Sequence, residues 1–314
     1  MKTRRLFVPI LIAALSLFVA LPIVKAAPTP FLGRWDITLK APDAEYPSWL
    51  EIKDEGGQLK AQFTGRWGNA RPLPKVEVSG DRITFVSPKE EEGSKSDLVF
   101  QGQLSDGQLS GNVNGPDERT WQWTGVRAPA LDKTATPKWG APVTLFNGKD
   151  LSGWKQTKPG PPDWTVKGGT LVTPGNGPEL INDEKFQDFK LHIEFNCGKD
   201  SNSGVYLRGR YEVQVETESQ GEPPSHHTGG VYGFLAPTPE QPRSPDVWQT
   251  YDITLIGRRV TVVLNGKTVI DNQEIPGITG GALDSREGQP GPIYLQGSEK
   301  GHVAFRNIVV TPAK

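Results

Sequence analysis

The sequence predicts an all-β protein built from two β modules. Glycine and proline are abundant, at 36 and 28 residues, and nine tryptophans are spread along the chain. Many short runs of alternating apolar residues are separated by turn residues, a pattern typical of strands joined by tight turns. After residue 30, no stretch has the apolar spacing of an amphipathic helix. These observations predict strands throughout both modules.

The residues before the first strand predict a secretory signal. Lys2, Arg4 and Arg5 precede a long apolar run that ends in small residues near Ala26, which is the pattern of a cleaved signal peptide. The alternative is an uncleaved membrane anchor, because the run approaches the length of a membrane span. We interpret residues 1–26 as a signal peptide. The protein is then expected in the periplasm or outside the cell, with no membrane span after cleavage.

Charge and cysteine content argue against several classes of partner. The formal net charge is -1, with acidic and basic residues spread along the chain. The protein therefore has no strong positive electrostatic field to attract nucleic acid or an acidic membrane. Cys197 is the only cysteine, and therefore no internal disulfide or CxxC metal motif can form. Because it follows the strand-like run LHIEFN, Cys197 is expected to be a buried, unreactive thiol.

The first module is predicted to span residues 27–127 as a small β-barrel or sandwich. Eight strand-like runs alternate with turn signals: GRWDITLK, SWLEIK, GQLKAQFTG, KVEVSG, RITFVS, DLVFQGQL, GQLSGNV and TWQWTGV. Their rhythm resembles that of a lipocalin-like barrel, and so short a module is expected to be filled with side chains. Its tryptophans are interpreted as core residues, with a sugar platform as the alternative: Trp35, Trp49, Trp67, Trp121 and Trp123.

A linker and a second module follow. Residues 128–142, APALDKTATPKWGAP, are rich in Pro, Ala and Thr and predict the linker. Residues 143–314 form the second module, in which Asn265-Gly266 predicts a two-residue type I′ hairpin. Its many strands and varied loops predict a jelly-roll sandwich of two antiparallel sheets. The strand-like runs are TLFNGKDLSGWK, WTVKGGTLV, FKLHIEFNC, SGVYLRG, RYEVQVETE, GGVYGF, WQTYDITLIG, RRVTVVLNGKTVID, GPIYLQGS and HVAFRNIVV.

Several of these runs, taken together and in order, resemble a known family. LFNGKDLSGW, NSGVYLRGRYEVQV, GGVYG, WQTYDI, VTVVLNG, GPIYLQ and FRNIVV are similar to the motifs of the 3-keto-disaccharide hydrolase domain family, over residues of about 143–312. The resemblance implies a concanavalin-like jelly roll that acts on glycosides oxidised to a ketone at C3 of the sugar. It also implies a functional link to an oxidoreductase that makes this ketone. A shared fold alone does not establish function.

A 3-keto sugar offers a route of cleavage that an ordinary glycoside lacks. The ketone acidifies the C2 proton, so a base can remove it, the enolate can expel the C1 substituent, and water can add to the resulting enone. The protein must then supply a base, a proton donor for the leaving oxygen, and hydrogen bonds or positive charge at the enolate. An ordinary glycosidase instead uses a pair of carboxylates.

Candidate residues for these roles lie on strands with alternating apolar residues. In VYLRGRYEVQV the apolar residues are expected to face the core, so that the polar residues between them face the other way. The same alternation in LHIEF places His192 and Glu194 outside the core. If these three strands are neighbours in one sheet, six polar residues share a surface: His192, Glu194, Tyr206, Arg208, Glu212 and Gln214.

Glu212 is the first candidate, as a base or a metal ligand, with Glu194 as its carboxylate partner. Arg208 is assigned to the ketone or enolate oxygen, because arginine stays charged and offers several donors. Gln214 and Tyr206 are assigned to substrate binding. The alternative is the wet face of a sheet on which arginines pair with glutamates across strands. The family resemblance favours the functional interpretation.

The loop GEPPSHHTGGVYG and a later strand add further candidates. His226 is assigned to substrate binding and His227 to catalysis or metal binding, with a solvated histidine pair as the alternative. Tyr232 is predicted to be a proton donor or hydroxyl contact, or else part of a packed turn. Trp248 is expected to stack on a sugar ring or to fill the core.

The sequence does not decide whether the protein binds a divalent metal, and it leaves more than one class of function open. Ca²⁺ or Mn²⁺ would polarise the ketone, with Glu194, Glu212 and His227 as the candidate ligands, although no spacing motif requires a metal. The leading hypothesis is an exported enzyme that cleaves 3-keto-glycosides or hydrates their elimination product. The alternatives are a non-catalytic carbohydrate-binding protein and a conventional glycosidase.

Overall fold

The computed structural model describes residues 29–131, 137–158, 164–173, 175–217, 221–242, 244–298 and 300–314. The predicted signal peptide, residues 1–26, and residues 132–136 of the predicted linker lie outside the described residues. The all-β prediction is confirmed: within the described ranges, the helices are one four-residue α-helix and one three-residue 3₁₀ turn. None of the described helices is long and apolar enough to cross a membrane.

The first module is one curled antiparallel sheet in the order β4-β3-β2-β1-β9-β8-β7-β6-β5. Each of the eight predicted runs contains a strand, and β3 and β5 approach one another as the sheet curls. The elements are β1 (Gly33–Lys40), β2 (Glu45–Glu55), β3 (Gln58–Thr64), β4 (Arg71–Pro72), β5 (Lys75–Ser79), β6 (Arg82–Ser87), α1 (Lys89–Glu92), β7 (Leu98–Ser105), β8 (Gln108–Asn114) and β9 (Thr120–Arg127).

Aromatic side chains fill the interior of the curled sheet. Phe85 and Phe100 stack with ring centroids 4.5 Å apart, and Trp123 meets both rings edge-on. Gly102 leaves the space for Trp123, because a Cβ at this position would lie 2.4 Å from the indole ring. Alternation along the strands therefore predicted this core correctly, and large aromatics stabilise a small module that has no disulfide.

The second module is a sandwich of two antiparallel sheets, as predicted. The eight-stranded sheet has the order β12-β13-β22-β15-β18-β19-β20, with β10 paired to β22, and the five-stranded sheet has the order β11-β14-β21-β16-β17. The elements are β10 (Val143–Thr144), β11 (Trp154–Gln156), β12 (Thr165–Lys167), β13 (Thr170–Thr173), β14 (Leu180–Asn182), β15 (Phe189–Cys197), β16 (Asn202–Leu207), β17 (Tyr211–Glu216), a 3₁₀ turn (Pro224–His226), β18 (Trp248–Ile256), β19 (Arg259–Leu264), β20 (Lys267–Glu274), β21 (Tyr294–Leu295) and β22 (Val303–Pro312).

Apolar side chains from the inner faces of the two sheets form one core. Ile193 and Phe195 of β15 belong to the same buried cluster as Val205 of β16 and Val213 of β17. Full burial of such a side chain contributes roughly 1.5–3 kcal/mol. Cys197 is a buried free thiol, as expected. The inner face of each strand therefore follows directly from the period-two pattern.

Turn chemistry in the second module follows the sequence in one place and departs from it in another. Asn265 and Gly266 both have positive φ, at 50° and 77°, and join β19 to β20 as the predicted hairpin. GGVYGF, predicted as a strand, is instead a turn in which Val231 forms isolated bridges to Val213 and Leu235. Its glycines allow the chain to turn where a strand would need continuous pairing.

The two modules belong to one compact unit, residues 31–314. Trp49 of β2 is buried in the core cluster of the second module and meets Phe234 edge-to-face at 5.3 Å. Thr38 and Ser285 share a hydrogen bond of 2.5 Å, and Arg34 forms an ion pair with Glu274. One face of the first module is thus packed on the second.

The tryptophans of the first module divide into two groups. Trp67 is 54% exposed, whereas the other four are buried. Trp35, Trp121 and Trp123 lie in the module's own core. The core interpretation is therefore correct for these three, Trp49 fills the core of the neighbouring module, and Trp67 is a surface residue.

Candidate active site

The outer face of the five-stranded sheet gathers several of the predicted polar residues. Alternation on β16 and β17 turns the valines inward, so Tyr206, Glu212 and Gln214 lie on the outer face, as predicted. Strand register places Tyr294 of β21, Tyr206 and Glu212 opposite one another in a single row. Gly204 lies opposite Gln214 in the next row. This set of residues is the candidate active site.

Glu212 and Tyr206 form the centre of the site. The Tyr206 hydroxyl lies 2.9 Å from Glu212 Oε2 and 2.9 Å from the carbonyl oxygen of Gly280. A phenol has one proton and can donate to only one of these two acceptors. A proton on Glu212 satisfies both contacts, because the carboxyl then donates to Tyr206 and Tyr206 donates to Gly280. The geometry therefore accommodates Glu212 with and without a proton.

Gln214 and Gly204 shape the space around the Glu212 carboxylate. With its amide nitrogen turned toward Glu212, Gln214 donates to Glu212 Oε1 at 3.3 Å and to the carbonyl oxygen of Ser203 at 3.1 Å. A Cβ at Gly204 would lie only 2.1 Å from Glu212 Oε1. Glycine is thus required opposite Gln214, because any side chain there would displace the carboxylate.

The tyrosines of the row act as donors and as packing partners. Tyr206 and Tyr294 stack with ring centroids 4.3 Å apart. Burial, and then the nearby Glu212 carboxylate, raise the pKa of Tyr206 well above its ordinary value. Burial also raises the pKa of Tyr294. Both phenols therefore stay protonated at neutral pH.

Two segments cover the Glu212 side of this face. Thr279 Oγ1 accepts a hydrogen bond of 3.1 Å from the backbone nitrogen of Glu212, and Gly280 and Gly281 continue over Tyr206. The β3–β4 loop of the first module presses on this segment, since a Cβ at Gly280 would lie 2.3 Å from the carbonyl oxygen of Gly68. As a result, Glu212 is only 3% exposed.

The histidine loop borders the same face. The backbone nitrogen of Tyr232 donates to the Glu212 carbonyl oxygen at 3.0 Å, and the His226 ring stacks on Tyr232 at 4.2 Å. His226 Nδ1 lies 2.9 Å from a Glu222 oxygen, and its Nε2 is buried without a hydrogen-bond partner among the described residues. His227 Nδ1 instead lies 2.7 Å from Glu240 Oε1. His226 and Tyr232 are therefore the loop residues stacked next to the Glu212 strand.

Glu194 does not share this surface, and the predicted pairing with Glu212 is wrong. β15 pairs with β18 and β22 in the eight-stranded sheet. Glu194 and His192 therefore lie on the outer face of that sheet, on the other side of the sandwich from Glu212. Arg306 Nε donates to Glu194 at 2.6 Å. Hydrogen bonds from Asn307 and then Arg306 lower the pKa of Glu194 below its ordinary value.

Trp248 and Arg208 also lie away from the Glu212 face, which corrects both predictions. Trp248 of β18 lies beneath the Arg306 guanidinium, 3.9 Å from the ring centroid, on the eight-stranded sheet. Arg208 has a φ of 54°, and this left-handed turn directs its side chain into the end of the sandwich. There it donates to Tyr211 Oη at 2.8 Å and to the Gly257 carbonyl oxygen at 2.9 Å.

The predicted metal ligands do not assemble in the structure. Glu194 and Glu212 belong to different sheets, so the set Glu194, Glu212 and His227 does not converge. Within the described ranges, no group of three His, Cys, Asp or Glu side chains could hold a metal ion.

The sequence reasoning missed three contributors to the site: Tyr294, Gly204 and the Gly280 carbonyl. Tyr294 lies in GPIYLQ, where it precedes the buried Leu295, and alternation in that short run could have placed it on the outer face. Gly204 contributes by leaving space for the Glu212 carboxylate, and Gly280 contributes its backbone carbonyl oxygen. A pattern of side chains reveals neither contribution.

The family profile of the 3-keto-alpha-glucoside-1,2-lyase-like domain matches residues 141–311. The chain belongs to this family. The match confirms the resemblance seen in the sequence, and it begins after the last strand of the first module. The first module is therefore outside the matched family domain.

Individual relatives match this chain either over a short segment or at low sequence identity. A 3-keto-disaccharide hydrolase of Bacteroides thetaiotaomicron is 32% identical over 75 residues, which are 20% of this chain and 26% of that protein. The match thus spans about a quarter of the relative's length. Two candidate glycosyl hydrolases of Parabacteroides distasonis, known from crystal structures, are 27% and 21% identical, with TM-scores of 0.47 and 0.45. They cover 59% and 55% of this chain, and the matches span 97% and 94% of their own chains.

Proposed function

We propose that this protein cleaves glycosides whose sugar carries a ketone at C3, and that Glu212 begins the reaction by removing the C2 proton. Family membership supports this substrate class, as does the name of the Bacteroides relative. The signal-like residues 1–26 support an exported enzyme. Its substrate would come from an oxidoreductase that acts on the sugar at C3.

One observation carries the assignment of Glu212. Its carboxylate lies beside a phenol that has two acceptors and a single proton. When Glu212 gains a proton, it donates to the Tyr206 hydroxyl, and Tyr206 donates to the Gly280 carbonyl oxygen. The protonated acid therefore has a hydrogen-bond partner. A base in this position can therefore take and return a proton without rearranging its neighbours.

The steps follow from the residues around this base. Glu212 removes the proton from C2, and the C2–H electrons form an enolate with the C3 ketone, while the Gln214 amide holds the Glu212 carboxyl by its hydrogen bond to Oε1. The enolate then re-forms the ketone as the C1–O bond breaks, leaving a double bond between C1 and C2. The departing oxygen takes a proton from the Tyr232 hydroxyl, and His226 supports the Tyr232 ring by stacking.

Water completes the reaction and restores the protein. Its oxygen adds to C1, C2 receives a proton from Glu212, whose carboxyl exchanges its proton with water after the aglycone leaves, and the remaining proton of water returns to Tyr232. The net change is hydrolysis of the glycosidic bond, with the ketone unchanged. Tyr206 does not touch the reacting atoms in this scheme and acts as a positioning residue for Glu212.

The structure does not favour a conventional glycosidase at this face. Such enzymes use two carboxyl groups about 5–9.5 Å apart. Glu194 belongs to the other sheet, and the Glu212 carboxylate contacts the Tyr206 phenol and the Gln214 amide. Glu194 therefore does not form the required pair with Glu212.

Turnover of a matched pair of substrates tests the proposal. We expect the purified protein to release the aglycone from an aryl 3-keto-glucoside and to leave the parent aryl glucoside intact. Cleavage of the parent glucoside at a similar rate would indicate a conventional glycosidase. Binding of the keto sugar without any release would indicate a carbohydrate-binding protein.

A further inference from the structure

A large cleft separates part of the first module from the five-stranded sheet. Its volume is about 1240 Å³, above the roughly 300–1,000 Å³ that is usual for small-ligand sites. One wall is the outer face of β1 and β9, where Asp36 lies opposite Val126 and Thr38 lies opposite Thr124. The other wall comes from the second module, so the cleft exists only because the two modules pack together.

The opposite wall combines β14 with a long loop. Ile181 of β14 lines it, together with Arg210 and residues 283–290 of the loop before β21. Arg210 donates to Asp284 at 2.9 Å, and Asp284 also accepts from Arg286 at 2.7 Å. These mutual contacts hold the polar groups of the wall in place before any ligand arrives.

Charges of both signs line the cleft. The basic side chains are Arg127, Lys155, Lys185, Arg210 and Arg286, and the charged acidic ones are Asp183, Asp284 and Glu287, because the raised pKa of Asp36 keeps that carboxyl protonated at neutral pH. Phosphate-rich ligands need a concentrated positive charge, which this mixture does not provide. A lining of alternating donors and acceptors instead suits a neutral ligand with many hydroxyl groups.

Apolar groups and an unsatisfied acceptor complete the lining. Val126 and Leu283 are 45% and 38% exposed, and both face the cleft, where they can contact the C–H faces of sugar rings. Asp36 is only 2% exposed and lines the cleft, and its Oδ1 has no hydrogen-bond partner among the described residues. A buried acceptor without a donor is costly, and a ligand hydroxyl would supply that donor.

We propose that the cleft between the modules is a binding site for a neutral oligosaccharide of glucose, where the choice of glucose rests on the proposed function. The mixed charges of the lining, the exposed apolar side chains and the unpaired Asp36 oxygen all match a neutral oligosaccharide. The site is separate from Glu212 and does not depend on catalysis there. Its wall belongs partly to the first module, which lies outside the residues matched by the family.

The cleft and the Glu212 site lie on the same face of one sheet. Strand register aligns Lys155, Ile181, Tyr294, Tyr206 and Glu212 in one row across β11, β14, β21, β16 and β17. Ile181 is three strand spacings from Glu212, about 14 Å. A glycan held in the cleft would therefore keep its own chain, or a neighbouring one, close to the Glu212 face.

Calorimetric titration of the purified protein tests the binding site. The probes are unoxidised trehalose, maltose, cellobiose and maltotetraose, each used up to about 10 mM. Val126→Trp places a large ring in the cleft from an exposed position. Val99→Trp is the matched control, because Val99 is 44% exposed on β7 and does not line the cleft. Thermal unfolding of both variants checks that the fold is kept.

We expect at least one probe to bind the wild-type protein, and Val126→Trp to weaken that binding by at least about tenfold. Val99→Trp and Glu212→Gln should bind as the wild type does. Absence of binding by all four probes would overturn the proposal, as would binding that Val126→Trp leaves unchanged. Binding lost in Glu212→Gln and kept in Val126→Trp would place the sugar on the Glu212 face and would also overturn it.

Discussion

The strands on the two outer faces of the second module have the same alternation of apolar and polar residues, but the groups around their glutamates differ. On the eight-stranded sheet, Glu194 pairs with Arg306 and Asn307, and Trp248 packs under Arg306. On the five-stranded sheet, Glu212 is covered by residues 279–281 and hydrogen-bonded to Tyr206. The first face places its carboxylate next to a cation, whereas the second places it next to a phenol.

This difference shows what separates a surface ion pair from a candidate catalytic base. Neighbouring donors lower the pKa of Glu194, so this carboxylate holds no proton at neutral pH. Glu212 has a phenol, an amide and a backbone carbonyl nearby, and this chain of groups can accept one more proton. Alternating glutamates on two strands thus acquire different chemistry from the groups that cover them.

The largest contrast is expected between matched glutamine variants on the two faces. Glu212→Gln should lower kcat/KM for an aryl 3-keto-glucoside by at least about a thousandfold, because it removes the base. Glu194→Gln should change it less than about threefold, since surface ion pairs contribute little. Equal losses in two folded variants would remove the distinction between the faces.

The next largest effect concerns the packing between the modules. Trp49→Ala empties a site in the core of the second module, beside Phe234. We expect the free energy of unfolding to fall by about 3–5 kcal/mol. Differential scanning calorimetry should record a lower Tm, with Trp67→Ala, at an exposed position, as the control. A Tm equal to that of the control would show that Trp49 does not secure the interface.

A smaller effect is expected from the positioning hydroxyl. Tyr206→Phe keeps the stack on Tyr294 and removes the hydrogen bond to Glu212. We expect kcat to fall by about tenfold to a hundredfold with little change in KM, because the variant alters the base and not the substrate contacts. The pH profile of kcat should also shift, a change that loss of packing alone would not produce.

A separate effect concerns the pH dependence of stability. Burial, and then the nearby Glu287 carboxylate, raise the pKa of Asp36 to about 8. Between about pH 4 and pH 8 the unfolded chain loses this proton while the folded protein keeps it, so stability should fall as pH rises through this window. Asp36→Asn should flatten the slope of Tm against pH. An unchanged slope would contradict the raised pKa.

The sequence correctly predicted which face of a strand is buried, but it did not predict which strands share a sheet. Alternation placed Val213 inside and Glu212 outside correctly, because it depends only on the strand period. LHIEF has the same alternation, yet β15 pairs in the other sheet, a choice made by long-range register. Arg208 was misplaced because a positive φ at a residue other than glycine reverses the direction of the side chain.

The cover over Glu212 could not be predicted either. It depends on contact between Gly280 and Gly68, residues far apart in the sequence that meet where the modules pack. The Tyr206 hydroxyl bond to the Gly280 carbonyl depends on the same segment. Sequence patterns therefore identified Glu212, Tyr206 and Gln214 as candidates, and only the folded chain supplied the segment that covers Glu212 and Tyr206.

Hydrolysis of a 3-keto-glycoside in D₂O is the most direct test of proton removal at C2. Elimination followed by addition of water should place deuterium at C2 of the released sugar, detected by mass spectrometry after a single turnover. The free 3-keto sugar in the same buffer measures the uncatalysed exchange. We expect deuterium above this background from the wild type and from Glu194→Gln, and only background exchange in the substrate recovered from Glu212→Gln. A released sugar that keeps its original C2 proton would contradict the account.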